Sequence, residues 1–340
     1  MAVLPLRTAR LVLRLMHPGD APAFAGYRND PDVARHQDWT LPFTTGDAER
    51  LLAGQAYLDD LDPEGWTQVA VEHEGQVVGD VAVHLETSAQ RAALGYTLAP
   101  RAQHRGFAVE AVGAMVDALF ERTATHRIVA TLDEANLASM RVVETVGFRF
   151  EGIARQAARV RGQWADDARF ALLQDDRAAW LSRSRAAPEQ IDLVELVYEN
   201  VGPYERLATH RYQEQFVAPM ATSFVDALLP EVVNGERVTP WFRGVTADGV
   251  PVGFVMLALA SPAHPDPFLW RLLIDRWHQR RGIGGRVLGM LSGQLRAEGH
   301  RRLVTSWAEG LGGPAPFYGR LGFEPTGNLI DDEIEAALEL

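Results

Sequence analysis

Two short segments with the same glycine pattern, QHRGFA at residues 103–108 and QRRGIG at 279–284, recur in this 340-residue chain, and each is followed by a Gly-Phe pair. Gly106 and Gly282 lie 176 residues apart and Gly147 and Gly322 lie 175 apart, so the spacing from loop to pair is 41 residues in one half and 40 in the other. Such a register requires one structural unit to be built twice. The length suits two cores of ordinary size. The polar, proline-containing stretch SRSRAAPE at 182–189 reads as the linker, giving domains over 1–181 and 190–340.

The hydrophobic patterns repeat with the loops. In the first half, residues 10–16 alternate like a strand, and 18–28 and 45–61 carry apolar positions at helical spacing. Residues 66–73 and 76–85 read as a hairpin around Glu74-Gly75, and 93–98 as a strand. A helix over 108–121, a strand over 128–132, a helix over 136–146 ended by Gly147, and closing strands within 148–173 complete the unit. The second half predicts a strand over 192–197, helices within 203–229, hairpin strands over 238–246 and 251–259, and a strand over 268–275. A helix over 283–298, a strand over 303–307 and a short helix about 317–321 follow. The acidic tail 331–340 is consistent with a short terminal helix or a frayed end.

Composition narrows the chemistry. Apolar residues make up 47% and charged residues 23%, the balance of a soluble globular protein, and no apolar run is long enough to span a bilayer. The amino-terminal residues lack the pattern of a secretory signal and read as a strand lead-in, so a cytoplasmic location is expected. Cysteine is absent, which excludes disulfides, thiolate metal sites and a cysteine nucleophile. The ten histidines show no paired ligand spacing, so no metal is expected. A net charge of −12, shared by both halves, disfavours nucleic acid and suits a cationic small molecule or plain solubility equally well. Every basic residue is arginine.

Each glycine loop falls between a predicted strand and the start of a predicted helix. There, backbone N–H groups converge on an anion and the helix end adds partial positive charge, which makes a phosphate site. Arg105, Arg280 and Arg281 add cationic donors. Neither loop is followed by the Gly-Lys-Ser/Thr of a nucleoside triphosphate site, and neither has the dinucleotide fingerprint.

These loops resemble the signature of the GNAT superfamily of N-acetyltransferases: Gln or Arg, two residues, Gly, one residue, Gly or Ala. The resemblance covers nearly the whole chain as two copies. It implies an α/β (α+β) fold of two tandem GNAT (acyl-CoA N-acyltransferase) domains, each a mixed, mostly antiparallel sheet flanked by helices. Acetyl-CoA would be the cosubstrate, its pyrophosphate on the loop amides of Gln103, His104, Arg105, Gly106, Phe107 and Ala108, and of Gln279, Arg280, Arg281, Gly282, Ile283, Gly284 and Gly285. Its pantetheine arm would lie along a splayed strand beside Leu98 and Ile274. LGYTLAPRAQHRGFAVEAV with EANLASMRVVETVGFRFEG resembles the Rim-type (RimJ/RimL) enzymes. FLWRLLIDRWHQRRGIGGRVL with SWAEGLGGPAPFYGRLGFEPTG is similar to the spermidine/spermine-type acetyltransferases.

Acetyl transfer to an amine needs a neutral nucleophile, a stabilised oxyanion and a proton for the departing thiolate. No acyl-enzyme is required, and a backbone amide of the splayed strand can polarise the thioester. By the resemblance Tyr318, in PFYGRLGF, is the general acid of the second half; the alternative is a half-buried aromatic. Val143 occupies that position in the first half, where Ser139, one turn earlier, is the acid that Rim-type enzymes would use, or an ordinary helix residue. Asn136 is the cofactor-contacting asparagine of the motif and also a good helix N-cap. The second half has only GLGGPAP there.

The general base is not legible. Rim-type sequences often carry Glu where this chain has Ala93, and His84, Glu72, Glu110, Asp275, Glu309 and His264 are equal candidates. Arg271 and Asp275 match the spermidine-type pattern or form a structural ion pair. The expected activity is acetyl transfer to a primary amine, whether a polyamine, another small amine or a protein N-terminus, with no nucleic-acid or membrane partner and a homodimer left open. A CoA-sensing protein with one or both halves inactive is the alternative.

Overall fold

The computed structural model describes residues 2–340, and the chain divides into two compact units, one ending at Ser182 and one running Arg183–Leu340. The first contains strands β1 (Leu6–Arg7) and β2 (Val12–Leu15), helices α1 (Ala21–Arg28), α2 (Pro31–Ala34) and α3 (Thr45–Ala53), and strands β3 (Trp66–His73), β4 (Gln76–Glu86) and β5 (Arg91–Leu98). Then come α4 (Phe107–Arg122), β6 (Arg127–Asp133), α5 (Leu137–Val146), β7 (Arg149–Val160), β8 (Gln163–Leu173) and α6 (Gln174–Ser182). The strands form one sheet in the order β1-β2-β3-β4-β5-β6-β8-β7, antiparallel except where β5 meets β6. A parallel pair needs a crossover, and α4 supplies it.

The second unit contains β9 (Ile191–Val194), α7 (Gly202–Glu205), α8 (Met220–Leu228), and the two-residue strands β10 (Val232–Val233) and β11 (Glu236–Arg237). Next are β12 (Pro240–Ala247), β13 (Val250–Ala258), β14 (Phe268–Ile274), α9 (Ile283–Ala297), β15 (Arg302–Trp307), α10 (Ala315–Arg320), β16 (Glu324–Ile330) and β17 (Glu333–Glu339). Its main sheet, β16-β17-β15-β14-β13-β12-β9, again has one parallel junction, between β14 and β15, crossed by α9. Each half is therefore a mixed, mostly antiparallel sheet flanked by helices.

The tail forms neither a terminal helix nor a frayed end. It is β17, paired with β15 from Arg302↔Glu339 to Trp307↔Ile334, with Ala336 and Ala337 buried on its two faces. Crossover helix α9 shows why it docks: Ile283, Val287, Leu288, Leu291 and Leu295 recur at helical spacing and are all buried, each contributing about 2 kcal/mol of apolar burial. No helix among the described residues is long and apolar enough to cross a membrane.

Candidate active site

Both glycine loops fold the same way. In the first, His104 (φ 59°) and Gly106 (φ 78°) are left-handed; in the second, Arg280 (φ 61°) and Gly282 (φ 76°) are. Gly106 and Gly282 are the N-caps of α4 and α9, and a residue with a Cβ would be strained at either. The N–H groups of Gly106, Phe107 and Ala108, and those of Gly282, Ile283 and Gly284, have no hydrogen-bond partner among the described residues. They form an anion cradle at the positive end of a long helix. Phe107 and Ile283 are buried, so only their amides face the cradle.

The glutamines serve the loop's shape. Gln103 Nε2 donates to the Leu98 carbonyl (3.2 Å) and Gln279 Nε2 to the Ile274 carbonyl (3.0 Å), closing each loop onto the end of its strand. The arginines differ. Arg105 lies over the Phe107 ring, 4.5 Å from its centroid, beside a cavity of about 290 Å³ that His73, Gln76 and Arg101 also line. Arg281 is committed elsewhere: it donates to the Ala186 carbonyl (2.7 Å), contacts His278 Nδ1 (3.1 Å) and faces Asp248. Arg280 is exposed, and Gly284 lets Phe317 approach the first turn of α9.

Each cradle stands at the wide end of a gap in its sheet. β5 pairs with β6 only over Arg91↔Arg127, Ala92↔Ile128 and Ala93↔Val129, after which β5 runs on to Leu98 without it. In the second unit the junction is a single pair, Phe268↔Val304, and a bulge at Trp270 shifts the register of β14 against β13. Leu98 and Ile274 thus border the gap where it is widest. A slot lined by unpaired backbone, with a phosphate cradle at its mouth, fits a long arm ending in a pyrophosphate.

Tyr318 lies near the closed end of the second gap. It is buried, stacks on Trp307 (5.3 Å between centroids, 13° between planes) and meets Phe317 and Phe323 edge-on. Its hydroxyl contacts Thr305, whose Oγ1 donates to the Leu269 carbonyl (3.0 Å), bridging β15 and β14 where their pairing stops. Burial pushes the phenol up to about 12, so it holds its proton at neutral pH.

In the first unit Val143 is buried, and Ser139 is partly exposed with no hydrogen bond to its Oγ among the described residues. Asn136 caps α5: its Oδ1 accepts the Ser139 N–H at 3.1 Å. Tyr96, which sequence reasoning did not single out, donates its O–H to the Ser139 carbonyl (2.8 Å), tying the diverging strand to α5. Its only signal was a tyrosine inside the LGYTL strand.

The base candidates are scattered, most are occupied, and Glu309 is exposed. Glu72 pairs with Arg14, Glu110 holds Thr8 and Arg10, His84 lies against Trp66, and His264 closes a turn with Ser261 through its backbone while its Nδ1 is buried without a hydrogen-bond partner among the described residues. Asp275 does not pair with Arg271. Its carboxylate accepts the N–H groups of Ala208 and Trp277 (3.0 and 2.9 Å), while Arg271 pairs with Asp226 at 3.0 Å, because Arg271 lies within β14 and reaches α8 whereas Asp275 lies past the strand's end. No cluster of metal-ligating residues occurs among the described residues.

A split sheet with an anion cradle at the mouth of the split can take a long, phosphate-bearing ligand in between its strands. Residues 10–149 match the Acetyltransferase (GNAT) domain and residues 205–323 the Acetyltransferase (GNAT) family. The uncharacterised N-acetyltransferase p20 of Bacillus licheniformis is 30% identical over 177 residues, 51% of this chain and 98% of that protein. The [ribosomal protein uS5]-alanine N-acetyltransferase of Escherichia coli (strain K12) is 28% identical over 187 residues, 50% of this chain and 91% of that one. Among solved structures, Mycobacterium smegmatis RimJ in complex with CoA-disulfide has a TM-score of 0.44 at 23% identity, covering 49% of this chain and 83% of that one. The chain belongs to the GNAT acetyltransferase family, with two GNAT domains, and is an acetyl-CoA-dependent N-acetyltransferase.

Proposed function

We propose that the chain acetylates a primary amine by direct attack on acetyl-CoA, with Tyr318 as proton donor in the second domain and Ser139 in the corresponding role in the first. Acetyl-CoA supplies the activated acyl group; the new C–N bond forms as the C–S bond breaks. The cradles hold the pyrophosphate through the amides of residues 106–108 and 282–284, the Gln103 N–H being already donated to the Pro100 carbonyl, and Leu98 and Ile274 flank the pantetheine. Tyr318, neutral and buried beside the gap, gives its proton to the departing thiolate. The unpaired N–H groups of β14 beyond Phe268 are placed to polarise the thioester carbonyl. The acceptor is drawn from polyamines, other small amines and protein N-termini; a uS5-alanine acetyltransferase among the relatives supports the last of these.

The observation that carries this reading is the identical left-handed, residue, left-handed loop at the mouth of both gaps. It is tested by calorimetric titration of the full chain with acetyl-CoA, alongside Gly106→Glu and Gly282→Glu. Each substitution sets a strained residue and a carboxylate in one cradle. Two sites in the parent, each removed by its own variant, are expected; no binding by the parent sinks the proposal. Binding without thiol release from any amine would instead make the chain a CoA sensor.

A further inference from the structure

The first domain's proton acceptor can be sought from the geometry of its sheet. Side chains alternate across β5: Tyr96, paired with Val81, reaches α5, whereas Thr97 pairs with Asp80, which accepts the Tyr27 O–H of α1. The two faces of the gap are thus the α5 face, shared by the contacting helix α4, and the α1 face. The cradle belongs to α4, so a carrier seated there leaves the α1 face as the amine's approach. By the register Ala92↔Ile128 and Ala93↔Val129, residues Val129, Thr131 and Asp133 of β6 point to that α1 face.

Asp133 meets a histidine there. His36, just beyond α2, places Nδ1 2.6 Å from Asp133 Oδ2, and both side chains are partly buried. The pair is held from three sides. Asp133 Oδ1 accepts the Ala135 N–H (2.9 Å), and its carbonyl accepts the Asn136 N–H (2.9 Å), which anchors it to the cap of the helix that carries Ser139. Arg161, at the turn between β7 and β8, donates to the Ala34 carbonyl (3.2 and 2.9 Å) and to the Trp39 carbonyl (3.0 Å), pinning the segment on either side of His36. A carboxylate at Nδ1 fixes the tautomer with its proton on that nitrogen and leaves Nε2 as a proton acceptor.

We propose that His36 accepts the proton of the attacking amine in the first domain, with Asp133 as the residue that positions it. This rests on the reading above that the first domain holds acetyl-CoA. As the amine nitrogen bonds to the acetyl carbon its proton passes to His36 Nε2, while the thiolate takes its proton from Ser139. Asp133 pairs across the sheet with Asp167 of β8, whose charged neighbours include Arg169, Asp38 and Asp166, and Arg161 stands at the hairpin turn.

The test uses the full chain carrying Gly282→Glu, assayed for thiol release with an N-terminal alanyl peptide and with spermidine. His36→Gln is expected to lower kcat/KM for the amine about 100-fold at neutral pH and to leave acetyl-CoA affinity within about twofold. Its rate should climb about tenfold per pH unit toward the amine's own pKa, since only bulk-deprotonated amine then reacts. Asp133→Asn should cost less and displace the acidic limb of the profile. An unchanged pH profile in His36→Gln, or no thiol release with either acceptor, overturns the assignment. Calorimetry separates the two failures: no acetyl-CoA bound by the Gly282→Glu chain overturns the proposed function, whereas bound acetyl-CoA with an unaffected His36→Gln overturns His36 alone.

Discussion

The two domains share a cradle and differ in how they close the gap behind it. In the first, β5 and β6 stay paired for three residues and Tyr96 ties the strand to α5 through the Ser139 carbonyl. In the second, one pair and a bulge at Trp270 suffice, and Tyr318 with Thr305 fills the closed end. The cradle depends on backbone conformation and needs little more than glycine at one position, so two diverged sequences can both build it. The proton chemistry depends on side chains of the helix after the second parallel strand, where one domain has Ser139 and Val143 and the other Tyr318.

The sharpest way to break that comparison is at the matching glycines that end those helices. Gly147 has φ 113°, and a Cβ there would meet the Trp180 ring at 2.7 Å; Gly322 has φ 91°, and its Cβ would meet only the flexible end of Leu338 at 3.3 Å. Gly147→Ala should therefore destabilise the first domain by about 3 kcal/mol, backbone strain and overpacking adding, and Gly322→Ala the second by about 1.5 kcal/mol, from strain alone. Urea titration read by hydrogen exchange in each domain measures both. Equal losses would mean that Trp180 yields and the frames are alike.

Chemistry gives the next effect. In a chain carrying Gly106→Glu, Tyr318→Phe keeps the stack on Trp307 and removes only the hydroxyl, so kcat should fall about 100-fold with acetyl-CoA affinity unchanged. In a chain carrying Gly282→Glu, Ser139→Ala should cost less, because Ser139 is partly exposed and water can stand in for its hydroxyl, whereas Tyr318 is buried. Should Ser139→Ala prove the costlier, the first domain depends on its side-chain acid more than the second does.

Much of this was legible in the sequence because it is local. Loop, strand and crossover helix are adjacent in the chain, and Asn136 read as a cap is a cap. The illegible parts are contacts across long separations. His36 and Asp133 are 97 residues apart, and only the sheet register puts them on one face. The tail 331–340 is acidic and short, and becomes a strand only because β15 offers an open edge. Arg281 reads as a phosphate ligand by its place in the loop, yet Ala186, His278 and Asp248 claim its guanidinium.

The smallest expected difference is in acid. Burial, opposed by the nearby Asp275 carboxylate and reinforced by the Arg281 charge, holds His278 below its ordinary value of 6.5. The unfolded second domain then binds the more protons, so stability present above that value is lost as pH falls through it. In the first domain burial acts to raise Asp20, but the Arg14 hydrogen bond and backbone contact at His17 outweigh it, and the carboxyl lies below its ordinary 3.8. That contribution is present above about pH 4 and is lost as pH falls further. Each slope is at most that of one proton, about 1.4 kcal/mol per pH unit. Following each domain's urea midpoint from pH 7 to pH 3 should show the second softening first and the first only near pH 4. His278→Gln should flatten the early slope and Asp20→Asn the late one. A first domain that softened above pH 5 would show that groups other than Asp20 control its acid response.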